Sequence, residues 1–536
     1  MKLSLNTALL LIILVVAGGI YSSGTSTLPM DGHEVFVVQT AQEMHDRNDW
    51  LVPWFNDEPR LNKPPLNYWL TGFFADVTGY ADDMQAWHGR MVSISAALGM
   101  IILTFFLAKK LYSKETAMVA AAMMATSSGL FTYSHDARPD MFYATLCTAG
   151  FTAFVYSWYS NEKVNKTFLI YLMWFAYGLA TLCKGPHMPA IYLAASITFC
   201  LTRKYSLGRQ LKLFRPVTGL ILFAAMTVPW WYSLNQQLGS DALVHSQLSG
   251  TLLSLDFTYI FRFYYFYRPI ILALPWLIFL PITIIYFIRS KDYAASDRLL
   301  GLYLLFPAVI LEAGSQERWF YFLPSLAPMV ILVAASVVWA SLQARDSKIF
   351  LAHRIIIPAL VLAPISILVV ILASDSITLN LTVKMLVYLL IPLLLALMVY
   401  LARIKTNLAK QILVCSCSIA IGYLFMGYTH LGWSNDREAY YRMALDVRKL
   451  RNEGIPFMTL GVDPNIFVYY SGKGITYADD FNQVFATFAD MDDKQLALAV
   501  RTFYLKDYPQ KLSYKILEQT SKDADASISL IMINKN

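Results

Sequence analysis

The chain has 536 residues, of which 57% are apolar and 15% are charged, and its formal net charge is +7. Soluble proteins carry about 25% charged residues, so this composition excludes a soluble multidomain enzyme, a disordered chain and a disulfide scaffold. The mean hydropathy of +0.47 over so long a chain is typical of a polytopic membrane protein.

Apolar runs predict about thirteen transmembrane helices, because a span needs about 17–25 mostly apolar residues. The segments are 4–23, 86–108, 115–133, 139–158, 167–183, 186–202, 216–235, 269–288, 299–314, 320–341, 355–374, 383–402 and 411–430. The first segment also resembles a signal peptide, and its cleavage stays open. The stretch 65–79 is too interrupted to span, and we expect it at the membrane interface.

The loops between these segments alternate in charge, which predicts their orientation. One set of loops carries nineteen Lys and Arg residues and the opposite set carries eight. Loops rich in Lys and Arg stay in the cytoplasm, so we expect a cytoplasmic N-terminus in the cytoplasmic (inner) membrane and an extracytoplasmic tail. This topology explains much of the basic charge without nucleic acid as a partner.

The tail predicts a small α/β domain outside the membrane. Residues 437–453 have a helical pattern, while "FMTLG", "GITYA" and "SISLIMIN" are typical of buried strands. The predicted fold class is therefore mainly α. A transmembrane domain covers residues 1–430 and includes an amphipathic extracytoplasmic loop, 24–85, and an α/β domain covers residues 431–536.

The loop 24–85 holds a carboxylate at the edge of the membrane. Asp31 follows the first span, and Glu34 lies near the start of a predicted interfacial helix. Asp31 has two interpretations. It caps the helix by accepting backbone N–H groups, or it acts as a general base that takes a proton from a hydroxyl.

Cations recur at the predicted outer ends of the spans, where carboxylates are few. They are Arg60, Lys63, Arg90, Arg138, Lys184, Arg262, Arg268 and Arg318, with Asp140 close to Arg138 in the sequence. A charge inside a span costs about 2.5–3.5 kcal/mol on insertion scales. Such a ring suits a lipid-linked phosphate held where water is scarce. Snorkelling at the interface and a structural ion pair between Arg138 and Asp140 are the alternatives.

Several short motifs occur in a definite order and on one predicted side of the membrane. They are an Asp after the first span, "KPP" after a Trp-rich loop, "GR" opening the second span, "RPDMFY", "LCKGP" and "ERWFYFLPSLAP". Together they resemble the C-type (GT-C) superfamily of membrane glycosyltransferases, in the bacterial branch of aminoarabinose transferases and protein mannosyltransferases. The tail sequence "IFVYYSGKGITY" is similar to the outer domain of the aminoarabinose transferases.

The resemblance implies a hexosyl- or pentosyltransferase that uses a polyprenyl-phosphate-linked sugar at a periplasmic active site, with inversion at the anomeric carbon. It implies Asp31 as the catalytic base, Lys63 beside the donor phosphate, Asp140 as a second acid and Tyr321 near the donor head group. Arg90 and Lys184 match less closely. The polyprenyl tail would lie between the spans, against membrane lipids.

Two departures from the family pattern affect the site. Many relatives have Asp-Glu at the first motif, whereas this chain has Asp31, Gly32, His33 and Glu34. Some aminoarabinose transferases have a metal-binding Glu before the motif lysine, where this chain has Asn62, and His245 aligns poorly with their other ligand. We therefore expect no cofactor and no metal site, although a divalent metal stays open.

The acceptor and the class of function also have alternatives. The acceptor could be lipid A, as in lipopolysaccharide modification, another glycolipid, a surface polysaccharide, or protein Ser/Thr as in an O-mannosyltransferase. A transporter or flippase of lipid-linked sugars would use the same cations to guide a head group. A membrane scaffold is a third class. The large loop beside the first span favours an enzyme, because transporters place their sites near the midplane.

Overall fold

The structure is a computed structural model. It describes residues 5–203, 205–239, 262–289, 295–314, 317–343, 347–373, 381–403, 408–431, 433, 435–508, 513–520 and 527–535. The chain divides into two compact units. The helical unit comprises Met1–Thr25, Leu61–Asn67 and Arg90–Leu431, and the α/β unit comprises Ser26–Arg60, Tyr68–Gly89 and Gly432–Asn536. Most of the loop 24–85 therefore belongs to the same unit as the tail.

Helices dominate the described chain as far as residue 429. They are α1 (Leu5–Ser22), α2 (Gly32–Asp46), α3 (Leu66–Thr78), α4 (Ala86–Leu111), α5 (Lys114–Ala125), α6 (Ser128–Ser134), α7 (Pro139–Trp158), α8 (Lys163–Cys183), α9 (His187–Thr202), α10 (Leu207–Phe214), α11 (Pro216–Leu238), α12 (Tyr264–Tyr267), α13 (Leu280–Arg289), α14 (Ala295–Glu312), α15 (Leu326–Leu342), α16 (Ser347–Ala373), α17 (Leu381–Arg403) and α18 (Leu408–Thr429). A short hairpin, β1 (Trp54–Phe55) and β2 (Glu58–Pro59), lies between α2 and α3.

Each of the thirteen predicted segments contains a helix, and the mainly helical, multi-pass architecture is confirmed. Within the described residues, seven helices are long and apolar enough to cross a membrane, or eight if one bent pair counts as a single span. The number thirteen therefore stays a prediction.

Two predicted spans are interrupted, for identifiable reasons. The segment 115–133 breaks between α5 and α6, where the Thr126 and Ser127 hydroxyls donate to the carbonyls of Ala122 and Met124 and compete with the helix. The segment 269–288 begins as 3₁₀ turns and becomes α-helical only at Leu280. Prolines in this segment remove backbone donors and disfavour the helix before them.

The tail forms a five-stranded sheet with helices, which confirms the predicted α/β domain, although the sequence indicated only three of the five strands. Its elements are α19 (Asn435–Asn452), β3 (Phe457–Leu460), α20 (Asn465–Ser471), β4 (Thr476–Ala478), α21 (Phe481–Ala489), β5 (Gln495–Arg501), β6 (Ser513–Gln519) and β7 (Ile528–Asn534). The strand order is β4-β3-β5-β7-β6, with β3 parallel to β4 and β5 and with β7 antiparallel to β5 and β6. Leu498 lies opposite Met458 and Ile531 in a core that Phe488 of α21 completes.

Candidate active site

Asp140 lies at the start of α7, where the local sequence prepares the backbone for a buried carboxylate. Arg138 precedes the helix in an extended conformation, and Pro139 opens the first turn, where the missing N–H of proline is no loss. The carboxylate of Asp140 is 5% exposed. The positive end of the helix dipole stabilises a carboxylate at this position.

Cations surround this carboxylate. Lys184 Nζ contacts Oδ1, and Arg138 Nε lies 3.4 Å from Oδ2. The side chains of Lys184 and Arg138 are 5% and 15% exposed. Lys63 also acts electrostatically on Asp140. The structure therefore brings four of the sequence-predicted residues together inside the helical unit.

Aromatic rings enclose the cations. Lys184 Nζ lies 4.1 Å from the ring centroid of Tyr321 and 5.2 Å from that of Phe320. The Arg138 guanidinium lies 4.7 Å from the Phe320 centroid. Arg318 donates a hydrogen bond of 3.3 Å to the Tyr321 hydroxyl. Aromatic faces attract cations, and these rings also cover the side chains of Lys184 and Arg138.

The corner between α8 and α9 fixes Lys184. The Tyr143 hydroxyl donates to the Gly185 carbonyl at 3.0 Å and accepts from the Met188 N–H at 3.0 Å. Gly185 has a φ of +122°, which favours glycine. The motif "LCKGP" therefore encodes a turn that holds the lysine against Asp140.

We define the Asp140 cluster as these charged residues, their aromatic partner and the neighbouring buried Asp136. It consists of Lys63, Asp136, Arg138, Asp140, Lys184, Arg318 and Tyr321. The Arg138 N–H donates to the Asp136 carbonyl at 2.8 Å, and the Asp136 side chain is buried. The cluster has four cations and two carboxylates, so positive charge is in excess. Such an arrangement can bind an anion through charge-assisted hydrogen bonds.

In the α/β unit, Asp31 caps helix α2. Its Oδ1 accepts from the N–H groups of His33 at 2.8 Å and Glu34 at 2.9 Å, and the Glu34 carboxylate accepts from the Asp31 N–H at 3.1 Å. This reciprocal pair is a capping box. The capping interpretation of Asp31 is therefore confirmed. It leaves Oδ2 outside the capping bonds, and the Asp31 side chain is 26% exposed.

Arg437 of α19 binds both carboxylates. Its guanidinium donates to Asp31 Oδ2 at 3.2 Å and to Glu34 Oε2 at 2.9 Å. The Arg437 side chain is 11% exposed and the Glu34 side chain is fully buried. The tail thus supplies a cation that orients the candidate base and neutralises its buried neighbour.

Arg60 and Arg90, two further predicted residues, make packing contacts. In the α/β unit, the Arg60 guanidinium lies 4.1 Å from the Phe36 ring centroid and donates to the Tyr68 hydroxyl at 3.0 Å. In the helical unit, Arg90 is fully buried in α4 and donates to the Thr25 carbonyl. These contacts support packing, and substrate roles for both arginines stay predictions.

Sequence and structure comparisons place the chain among known proteins. The family model described as dolichyl-phosphate-mannose-protein mannosyltransferase matches residues 62–232. The undecaprenyl phosphate-alpha-4-amino-4-deoxy-L-arabinose arabinosyl transferase of Pectobacterium carotovorum is 23% identical over 351 residues, which cover 60% of this chain and 58% of that protein. The crystal structure of ArnT from Cupriavidus metallidurans in the apo state aligns with 98% of this chain and 97% of its own, at a TM-score of 0.71 and 15% identity.

The chain has the GT-C fold and is similar to the aminoarabinose transferases. The resemblance inferred from the motifs is therefore confirmed. The same ArnT bound to undecaprenyl phosphate aligns at a TM-score of 0.70 and 15% identity, with 98% and 97% of the two chains covered. The chain spans only 42–58% of the length of the first curated relatives it matches. Lys63, Arg138, Asp140 and Lys184 all fall within the matched family segment.

The structure explains the first departure from the family motif. A Cβ added at Gly32 would lie 2.4 Å from Asn465 Nδ2, and that amide donates to the Gly32 carbonyl at 3.2 Å. A side chain at position 32 would therefore displace the Asn465 amide and break its hydrogen bond to the Gly32 carbonyl. The second departure concerns Asn62 and His245, the positions of the possible metal ligands. His245 lies outside the described residues, so the structure does not test this pair.

We expect Gly32→Ala to destabilise the α/β unit by about 1–3 kcal/mol, as overpacking does. Helix propensity alone predicts the opposite sign, because alanine is favoured over glycine in helices. Thermal unfolding and hydrogen exchange of the peptides at the start of α2 measure the effect. Asn465→Ala in the same chain should restore part of the loss. A Gly32→Ala protein as stable as the wild type would contradict the packing argument.

Arg437 had no signal in the sequence, because its partners Asp31 and Glu34 lie about 400 residues away. We expect Arg437→Ala to destabilise the α/β unit by about 3–5 kcal/mol, since it leaves the buried Glu34 carboxylate without this cation. Hydrogen exchange at the start of α2 should increase.

The matched control for Arg437 lies on the same helix. Arg442 pairs with Glu438 one turn away, with both side chains about half exposed or more, so Arg442→Ala should cost about 0.5 kcal/mol or less. Equal effects of the two substitutions would show that Arg437 has no special role in holding Asp31 and Glu34.

Proposed function

We propose that this protein is a membrane glycosyltransferase that transfers a sugar from a polyprenyl phosphate to a hydroxyl-bearing acceptor. The observation that carries the proposal is the excess of cations around the buried carboxylate of Asp140. The GT-C fold and the names of the relatives support it. We place the reaction at the extracytoplasmic face of the cytoplasmic membrane, in agreement with the charge pattern of the loops.

The donor phosphate is the leaving group, so the protein must stabilise the anion that the reaction releases. We assign this task to Lys63, Arg138 and Lys184, with Arg318 and Tyr321 at the edge of the cluster. Charge-assisted hydrogen bonds in a site shielded from water are stronger than the same bonds in water. Asp140 keeps Arg138 and Lys184 in place before the donor binds. It is a positioning residue in this scheme, which refines its assignment as a second catalytic acid.

Asp31 is the proposed general base. The acceptor oxygen attacks the anomeric carbon, the bond from that carbon to the phosphate oxygen breaks, and the hydroxyl proton passes to Asp31 Oδ2. A single displacement of this kind inverts the anomeric configuration. Arg437 donates to the same oxygen, and a carboxylate oxygen can accept more than one hydrogen bond. Glu34 orients Asp31 through the capping box.

A reconstitution experiment tests the proposal. The full chain in liposomes is given undecaprenyl-phosphate-linked sugars one at a time, beginning with 4-amino-4-deoxy-L-arabinose because the relatives' names contain that sugar. Lipid A, a second glycolipid and a Ser/Thr peptide serve as acceptors. We expect mass spectrometry to find one glycosylated product and released undecaprenyl phosphate. Movement of the donor between leaflets without any product would favour the flippase and contradict the transferase.

A further inference from the structure

The α/β unit contains a cavity of about 890 Å³. The proposed reaction assigns no role to the residues that line it. Its walls come from the segments 26–29 and 82–87, from α2, and from the helices α19 and α20. Pockets for small ligands in proteins measure about 300–1,000 Å³. The cavity is therefore large enough for a small organic ligand.

Aromatic side chains form part of the wall, and several are held in fixed positions. The Tyr470 ring centroid lies 4.9 Å from those of Tyr441 and Tyr469, with the rings packed edge to face. The Tyr469 hydroxyl donates to the Met84 carbonyl at 3.0 Å, and the Tyr470 hydroxyl accepts from the Met30 N–H at 3.2 Å. Trp87 completes the set. Fixed rings of this kind offer flat apolar faces beside polar tips.

Carboxylates and amides make up about half of the other lining residues. They include Asp46, Asp82, Asp83, Glu438, Gln39 and Gln42, and Arg448 is the only basic residue among the described lining residues. This charge disfavours a phosphate or another anionic head group, and the polar walls disfavour an acyl chain. Carboxylate and amide groups instead match the donors and acceptors of hydroxyl-rich ligands.

The carboxylates are also partly neutralised from within the unit, which favours a neutral ligand over a strongly basic one. Glu438 lies 3.2 Å from Arg442, and Asp82 lies 3.2 Å from the His45 imidazole, with which it can share a hydrogen bond. Asp46 accepts from Gln42 at 2.8 Å and lies 3.8 Å from Lys473. The carboxylates can still accept hydrogen bonds from the hydroxyls of a ligand. A basic peptide would instead compete with the cations that already lie beside them.

We propose that this cavity binds a saccharide that is uncharged or carries an amino group. The apolar face of a pyranose ring would stack on Tyr441 or Trp87, and its hydroxyls would donate to the carboxylates and the Gln39 and Gln42 carbonyls. Binding needs neither donor nor transfer. A protein that fails to transfer sugar can therefore still confirm or overturn this proposal.

Saturation-transfer difference NMR on the full chain tests the binding. The protein is placed in nanodiscs, because maltoside detergents carry a sugar head group that would occupy the cavity. The probes are mannobiose, a glucosamine disaccharide, glucose 6-phosphate and trilysine, each at millimolar concentration. We expect saturation of the ring protons of at least one of the two disaccharides and a weaker signal from the phosphate. If neither disaccharide gives a signal, or if trilysine binds and they do not, the proposal is overturned.

A pair of tyrosine substitutions locates the site. Tyr441→Leu should weaken disaccharide binding by about 3- to 10-fold, the loss expected for one aromatic contact. Tyr477→Leu is the control, because Tyr477 lies in the same unit, is 48% exposed and does not line the cavity. Asp83→Asn is a second variant in case Tyr441→Leu disturbs the fold, and it should also weaken binding. Wild-type affinity in both cavity variants would overturn the assignment.

Discussion

Replacing Asp31 with asparagine is expected to lower glycosyl transfer by about 10²- to 10⁴-fold, the usual contribution of a positioned general base. The substitution removes the proton acceptor and the charge that pairs with Arg437, but it keeps the helix cap. Asparagine is as good a residue as aspartate at the start of a helix, and its carbonyl oxygen can take over the bonds from the His33 and Glu34 N–H groups. Helix α2 should therefore begin at the same residue in the variant.

Initial rates in liposomes measure this effect, and hydrogen exchange at the start of α2 checks that the helix is intact. Asp31→Ala is the matched control for the structural role, since it removes both the base and the cap and should cost about 1 kcal/mol of stability in addition. If Asp31→Asn transfers sugar at the wild-type rate while Asp31→Ala fails only through unfolding, Asp31 is a helix cap and another group is the base.

The sequence predicted the individual elements of the two units better than their internal contacts. Hydropathy located helices for the spans, and alternation located β3, β4 and β7. Strand β5 was missed because "QLALAVR" alternates leucine with alanine, which is also a strong helix former. Strand β6 was missed because it lies at the edge of the sheet with mostly exposed residues, where no buried pattern is needed.

In the candidate site, too, the sequence predicted individual residues better than the contacts between them. Short motifs predicted Asp31, Lys63, Asp140 and Lys184, because catalysis on a phosphate-linked donor requires acids and cations. They did not predict Arg437, since residue types far apart in the chain carry no signal of which pairs meet. The aromatic enclosure by Phe320 was also missed, because an aromatic residue near an apolar segment is expected from packing alone.

The pair formed by Lys184 and Asp140 has a structural and a functional interpretation, and a double substitution separates them. Lys184→Met alone leaves the Asp140 carboxylate buried without its closest cation, so it should destabilise the helical unit by about 3–5 kcal/mol. It should also weaken use of the donor. A single variant cannot distinguish loss of binding from loss of structure.

The double variant Asp140→Asn/Lys184→Met removes both charges. Replacing a buried ion pair by uncharged side chains of similar size is often neutral for stability, so thermal unfolding should return close to that of the wild type. Donor use should not return, because one charge-assisted contact with the phosphate contributes about 1.5–3 kcal/mol, which is roughly 10- to 150-fold in kcat/KM for the donor.

The exposed pair of Arg262 and Glu317 provides the control, since both side chains are about half exposed and Arg262→Met should cost about 1 kcal/mol or less. Recovery of both stability and donor use in the Asp140→Asn/Lys184→Met protein would mean that the pair only holds the helices together. Recovery of stability alone shows that the charges of the pair act on the donor, through Lys184 itself or through Arg138, which Asp140 also holds. In that case packing does not explain the excess of cations around Asp140, because an uncharged pair would stabilise the helical unit equally well without supporting donor use.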